Sequence, residues 1–206
     1  MTLTIGIFVF DGFEALDVAG PFEVFSTAGR LTARQGQLPA FKPIMLSQFS
    51  QSVSGRGAFR VVPHGTIDHH PPLDVLILPG GVVDDANDEQ VLGWVQAQQE
   101  TVQLTASVCT GAFILGWAGL LPELATTHFE DQELLAATFP GTRISQQRFV
   151  DAGHIVTAGG ISAGIDMSLH LVERLHSREL AEQTARQMEY EWKHQPPEPP
   201  PGDVGY

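Results

Sequence analysis

Three short apolar runs set the terms on which this chain can fold. Residues 3–10 (LTIGIFVF), 73–79 (LDVLILP) and 102–108 (VQLTASV) are rich in β-branched, leucine and aromatic residues. They are too short for helices and do not alternate with polar residues, which is the pattern of strands buried on both faces. Each run stops at a turn signal or at small residues: Asp11-Gly12, Gly80-Gly81 and Cys109-Thr110-Gly111. Helical patterns lie between them. In 14–28 (EALDVAGPFEVFSTA), Leu16, Ala19, Phe22 and Phe25 share a stripe. Pro21 suits a first helical turn, so this helix is read to begin near Gly20, with Asp17 on the loop leading in. Residues 87–100 carry an Asn/Asp cap before a helical pattern, and 110–120 form an apolar helix directly after Cys109.

The remaining segments complete an alternation of strand and helix. Residues 41–48 form a weaker strand, and 52–70 a hairpin or irregular connection. Residues 148–158 read as two short strands about Asp151-Ala152-Gly153, and 163–192 as two helices meeting near His176-Ser177. The fold class is therefore α/β, a mostly parallel sheet sandwiched by helices on both faces. With 206 residues, 43% of them hydrophobic, one domain over residues 1–194 can bury a sizeable core. Residues 195–206 form a Pro-rich tail with too little apolar content to fold alone.

Charge and cysteine usage narrow the partners. Eleven basic residues stand against 24 acidic ones, a net charge of −13. That argues against nucleic acid or an anionic membrane as the main partner and suits a small neutral substrate. The single cysteine rules out an internal disulfide and any zinc cluster of cysteines. His69 and His70 are adjacent, so on a strand they would face opposite ways and not chelate together. No signal peptide or membrane span is read from the N-terminus, and the expected compartment is the cytoplasm.

The chemistry concentrates at strand ends, where ligands bind in open parallel sheets. Cys109, between a strand and a helix, fits a nucleophile elbow with the helix N-terminus favouring thiolate; a free cysteine is also a common core residue. Gly80-Gly81 could offer backbone N–H groups to a developing negative charge, or simply make a turn. Asp17 could be a helix-start acid or a carboxyl held near the thiol, with Glu14 competing for that role. His128, in TTHF, could approach Cys109 as base or proton donor.

The segments FDGFEALDVAGPFEVF, LDVLILPGG, SVCTGAFILGWAGLL, ATTHF and VTAGGISAGIDMSLHLV resemble the ThiJ/PfpI superfamily, which has the flavodoxin-like fold of class I glutamine amidotransferases. Through ALDVAGP and SVCTGA the chain is similar to the isonitrile hydratases within it. The resemblance implies Cys109 as nucleophile, Asp17 as acid–base group, Thr110 as an active-site residue and Gly81 as a backbone donor. It implies hydration of an isonitrile to a formamide without metal or organic cofactor, and a homodimer. Thr110 stands where peptidase-like members carry histidine, which speaks against amide hydrolysis. The superfamily also supplies the sensing domains of AraC-type regulators and cysteine enzymes of the glyoxalase or deglycase kind, and both remain open readings.

Overall fold

A computed structural model describes residues 1–193, so the Pro-rich stretch 195–206 lies outside the described residues. The chain runs from β1 (Leu3–Phe8) through α1 (Ala15–Arg34) to β2 (Phe41–Ser47). A small hairpin, β3 (Val53–Ser54) with β4 (Arg60–Val61), precedes β5 (Gly65–Thr66). Then come β6 (Val75–Leu78), α2 (Glu89–Gln98), β7 (Leu104–Val108) and α3 (Gly111–Trp117). An excursion of β8 (Leu124–Ala125), α4 (Gln132–Thr138) and β9 (Arg143–Ile144) leads to β10 (Phe149–Asp151) and β11 (Ile155–Ala158). The last helices are α5 (Ala163–Leu175) and α6 (Arg178–Gln187).

The main sheet has the order β10-β11-β7-β6-β1-β2-β5. Every neighbouring pair is parallel except β10 with β11. From β1 the chain moves one way to β2, and from β6 the other way to β7. Right-handed crossovers then put α1 and α2 on opposite faces. α1 packs with α5 and α6, while α2 packs with α3 against the other face. This is the expected flavodoxin-like sandwich. Double coverage explains the runs: Ile5, Ile7, Leu76, Ile77 and Leu78 are fully buried, each worth about 1.5–3 kcal/mol of transfer free energy.

Two expected boundaries move. α1 begins at Ala15, not near Gly20, and carries Pro21 inside it. The proline is tolerated because Gly20 before it has no Cβ to meet the ring, and only the Asp17 carbonyl loses its helical partner. Asp17 therefore lies in the first helical turn, its N–H bonded to the Glu14 carbonyl at 3.1 Å. At the other end α6 stops at Gln187, and residues 188–193 follow without helix or strand, with Glu189 at φ +50°. Their anchor is the carboxyl group of Asp166, which accepts hydrogen bonds from the Tyr190 hydroxyl (3.0 Å) and the Lys193 N–H (3.0 Å).

The seating of α1 on β2 depends on Gly29. A Cβ there would stand 2.4 Å from the Phe41 carbonyl oxygen. Gly29→Ala gains about 1 kcal/mol of helix propensity but pushes on backbone that cannot rotate away, at a cost of about 1–3 kcal/mol. The expected outcome is a lower urea midpoint than wild type; a higher midpoint would contradict this packing.

Candidate active site

The sheet order reverses direction at β1, and the crevice beyond that point is where such folds take their ligands. Four strand ends meet there. β1 leads to Asp17, β6 to Gly80 and Gly81, β7 to Cys109, and β11 to Gly159-Gly160-Ile161. The fourth is absent from the candidates read in the sequence. Its signal was present as a Gly-Gly pair closing the strand-like run IVTA.

Cys109 forms the turn between β7 and α3 with φ +57°, in the left-handed region. For a residue with a Cβ this conformation costs about 1–3 kcal/mol. The surroundings enforce it. Its N–H is shared between the Ala158 and Gly159 carbonyls, both at 3.1 Å, and its carbonyl accepts from the Thr127 hydroxyl at 2.8 Å. Gly111, next but one, lies so close to β6 that a Cβ would stand 2.2 Å from the Leu78 carbonyl oxygen. The elbow geometry expected from the sequence is present.

The expected thiolate is not the resting form. Cys109 is 7% exposed, and burial, followed by the charge of Asp17, pushes its thiol up to about 12. The N–H groups of Thr110 and Ile161 favour the charged sulfur but are outweighed. α3, only seven residues long, offers too little dipole to reverse the balance.

Asp17 is fully buried. Its Oδ2 accepts the Gly80 N–H at 2.9 Å, while its Oδ1 has no hydrogen-bond partner in the protein. Burial, reinforced by the charge of Glu14, raises the carboxyl pKa to about 7. The Gly80 N–H, Cys109 and Arg56 pull it down. Glu14, the competing carboxyl, turns toward Arg56 at 3.7 Å. Its N–H bonds the Gly80 carbonyl at 2.8 Å.

The two glycines are placed at the site, but their N–H groups are already engaged. Gly80 serves Asp17, and Gly81 donates to the Thr110 hydroxyl oxygen at 2.9 Å. That hydroxyl donates back to the Gly81 carbonyl at 3.1 Å. The expected oxyanion donors are thus committed in this structure, and the N–H groups that act on the sulfur belong to Thr110 and Ile161. Ile161 has φ +50°, a strained conformation for a β-branched residue.

His128 is not hydrogen-bonded to Cys109. Its Nδ1 accepts the Glu130 N–H at 3.4 Å and lies 3.6 Å from an Asp131 carboxyl oxygen. Its ring lies over Gly160, where a Cβ would stand 2.1 Å from Cδ2. Together with Thr127, Phe129, Arg148 and Ile161 it lines a cavity of about 390 Å³ beside the cysteine loop. A second cleft of about 320 Å³, at the ends of β1 and β2, is lined by Phe10, Phe49 and Gln51 among others, and neither cavity is lined by Asp17 or Cys109. Among the described residues no three His, Cys, Asp or Glu side chains are grouped to hold a metal, and no helix is long and apolar enough to cross a membrane.

A parallel α/β sandwich whose cysteine sits on a strained strand–helix turn beside a buried carboxyl defines a broad class. Within it, the chain belongs to the DJ-1/PfpI family, whose model matches residues 4–174. It is 33% identical to the isonitrile hydratase of Pseudomonas putida over 92% of this chain and 79% of that protein. It is 28% identical to the HTH-type transcriptional regulator GbdR of Pseudomonas aeruginosa, over 91% of this chain and 51% of the regulator. A ThiJ/PfpI family protein from Pseudomonas syringae has a similar structure, with a TM-score of 0.82 and 27% identity, covering all of this chain and 80% of that one.

The raised carboxyl has a consequence for stability. A folded-state pKa of about 7 against 3.8 means that Asp17 costs nothing below pH 3.8 and increasingly destabilises the fold as pH climbs toward 7. The full cost above pH 7 is on the order of a few kcal/mol. Asp17→Asn should therefore raise the melting temperature relative to wild type by more at pH 8 than at pH 5. A difference independent of pH would refute the raised carboxyl.

Proposed function

We propose that this protein is a lyase that hydrates an isonitrile, R–N≡C, to the N-substituted formamide, with Cys109 as nucleophile and Asp17 as proton carrier. The observation that carries the reading is the Asp17 carboxyl group, buried and close enough to the Cys109 thiol for each to shift the other's pKa, with Oδ1 left without a hydrogen-bond partner in the protein. The similarity to isonitrile hydratase supports it.

In the first step the Cys109 sulfur forms a bond to the terminal isonitrile carbon while the Asp17 carboxylate takes the thiol proton. That proton passes to the same carbon, giving the thioimidate R–N=CH–S–Cys. Water then adds to this carbon, Asp17 relaying its proton, and the nitrogen is protonated. The C–S bond breaks to release R–NH–CHO and the thiol. The Thr110 N–H steadies the sulfur as charge builds, and the Thr110 hydroxyl holds Gly81 in place. These steps need neither metal nor organic cofactor. The reading sets the enzyme in the reducing cytoplasm, as a homodimer acting on a small molecule and not on nucleic acid or membrane.

The placement of donors favours this electrophile over a carbonyl. An isonitrile carbon accepts both the sulfur and the proton, so a thiol and a carboxyl converging on one atom suffice. A carbonyl places its charge on a separate oxygen and needs free donors there. The Gly80 and Gly81 N–H groups are already committed.

A second reading is a small-molecule sensing domain, favoured by the regulators, of whose length the chain spans about half. Incubation of the purified protein with an alkyl isonitrile, followed by NMR, separates the readings. Formamide formation supports the hydratase. Binding without turnover favours the sensor, and turnover of methylglyoxal instead points to the glyoxalase or deglycase reading.

If Asp17 must be ionised to accept the thiol proton, kcat/KM rises through about pH 7 and is lost below it. Asp17→Asn should remove that limb and lower kcat about 10²–10⁴-fold. Cys109→Ala should abolish turnover and leave the circular dichroism spectrum unchanged. Full activity in that variant would falsify the covalent route.

A further inference from the structure

We propose that Arg148 is a positioning residue that holds the Gly159–Ser162 loop so that the Ile161 N–H stays directed at the Cys109 sulfur. The proposal rests on Cys109 as the reacting group and not on which electrophile it meets.

Arg148 brackets this four-residue loop from both ends. Its carbonyl accepts the Gly159 N–H at 2.9 Å, and its guanidinium donates to the Ser162 hydroxyl at 3.1 Å. Between these two anchors lie Gly160 and the strained Ile161. The Gly159 carbonyl in turn accepts the Cys109 N–H at 3.1 Å. A continuous hydrogen-bonded path therefore runs from Arg148 through Gly159 to the cysteine.

The arginine is itself fixed from behind. Its Nε donates to the carboxyl group of Asp166, which is fully buried in the first turn of α5. The Tyr190 hydroxyl shares the same carboxyl oxygen, and the Lys193 N–H takes the other. Asp166 thus sits four residues past Ser162 on α5 and clamps Arg148 against the helix that the loop enters. A backbone held at positive φ by a β-branched residue relaxes unless its neighbours over-determine it. Arg148 supplies that restraint at both ends of the loop.

A purely structural ion pair predicts a different outcome from a positioning one. If Arg148 only braces the fold, loosening it exposes the buried thiol and speeds its alkylation. If it aims the Ile161 N–H, loosening it removes stabilisation of the sulfur's charge and slows alkylation. The test is the iodoacetamide rate on the intact protein at pH 8, where Asp17 from α1, with Glu14 and Arg56 behind it, and His128 are common to every variant. Ser162→Ala removes one anchor at an exposed position and should slow the reaction about 2- to 10-fold, the weight of one hydrogen bond. Ser162→Thr keeps the hydroxyl and should restore the wild-type rate. Arg148→Lys, which cannot fork between Asp166 and Ser162, should slow it at least as much; if that variant fails to fold, the Ser162 pair carries the test. Asp151→Asn disrupts the other ion-pair cluster on α5, with His170 and Arg174, and should leave the rate unchanged. Unchanged or faster alkylation in Ser162→Ala, or equal slowing in Asp151→Asn, would overturn the proposal. Because no isonitrile is used, its failure is distinguishable from failure of the hydratase reading.

Discussion

A carboxyl group and a thiol are buried together at the ends of β1 and β7, with too few donors between them to charge both. Asp17 receives one backbone N–H, from Gly80, and leaves its second oxygen bare. Cys109 has the Thr110 and Ile161 N–H groups against burial and the carboxylate's own charge. The Asp17 charge raises the thiol's resistance to ionisation, while the thiol, as a hydrogen-bond donor, eases that of Asp17, so the pair titrates as a unit rather than as two independent residues. Stability, proton inventory and reactivity at this point all follow from that competition. Removing the Asp17 charge eases ionisation of Cys109, whereas removing the thiol takes a hydrogen-bond donor from Asp17.

What keeps the pair dry is backbone packed against backbone. The Gly12 carbonyl bonds the Val82 N–H at 3.1 Å, the Glu14 N–H bonds the Gly80 carbonyl at 2.8 Å, and Gly111 lies against the end of β6. The β3–β4 hairpin closes from outside, the Arg56 N–H donating to the Phe13 carbonyl at 2.9 Å and the Gly12 N–H to the Ser54 carbonyl at 2.8 Å. Polar main-chain groups thus satisfy one another and leave little room for water around the two acids. The same closeness consumes the N–H groups of Gly80 and Gly81. A site read from the sequence as offering those donors to a ligand has already spent them on holding its own shape.

The frame was legible because burial on two faces writes itself directly into composition. Runs such as VLIL and LTASV need no partner information to be read as strands, and Cys109 at the end of one already implied an elbow. The start of α1 was not legible. Pro21 is a local rule against a helix interior, and it is overridden by a neighbour without a Cβ and by packing that no single segment contains. The charge state of Cys109 was misread for a related reason. A helix N-terminus is visible in the sequence, whereas the burial and the Asp17 charge that outweigh it arise from contacts 92 positions apart. Ile161 and Arg148 escaped notice because a positive φ on isoleucine, and an arginine bracketing a loop, exist only once β10 and β11 are paired.

With its pKa pushed up to about 12 by burial and the Asp17 charge, the Cys109 thiol stays protonated near neutral pH. Attack by a preformed thiolate is therefore disfavoured, and a reaction here must move the proton as the sulfur bonds. That requirement slows reaction with electrophiles that bring no place for the proton to go. It also frames the difference between the proposed hydratase and the sensing alternative. Both use a buried thiol and a carboxyl oxygen awaiting a partner; they differ in whether water can follow the ligand in. The bare Asp17 oxygen is where such water would be bound and deprotonated. Turnover then depends less on the nucleophile, which sits in its elbow, than on keeping that one acceptor unsatisfied.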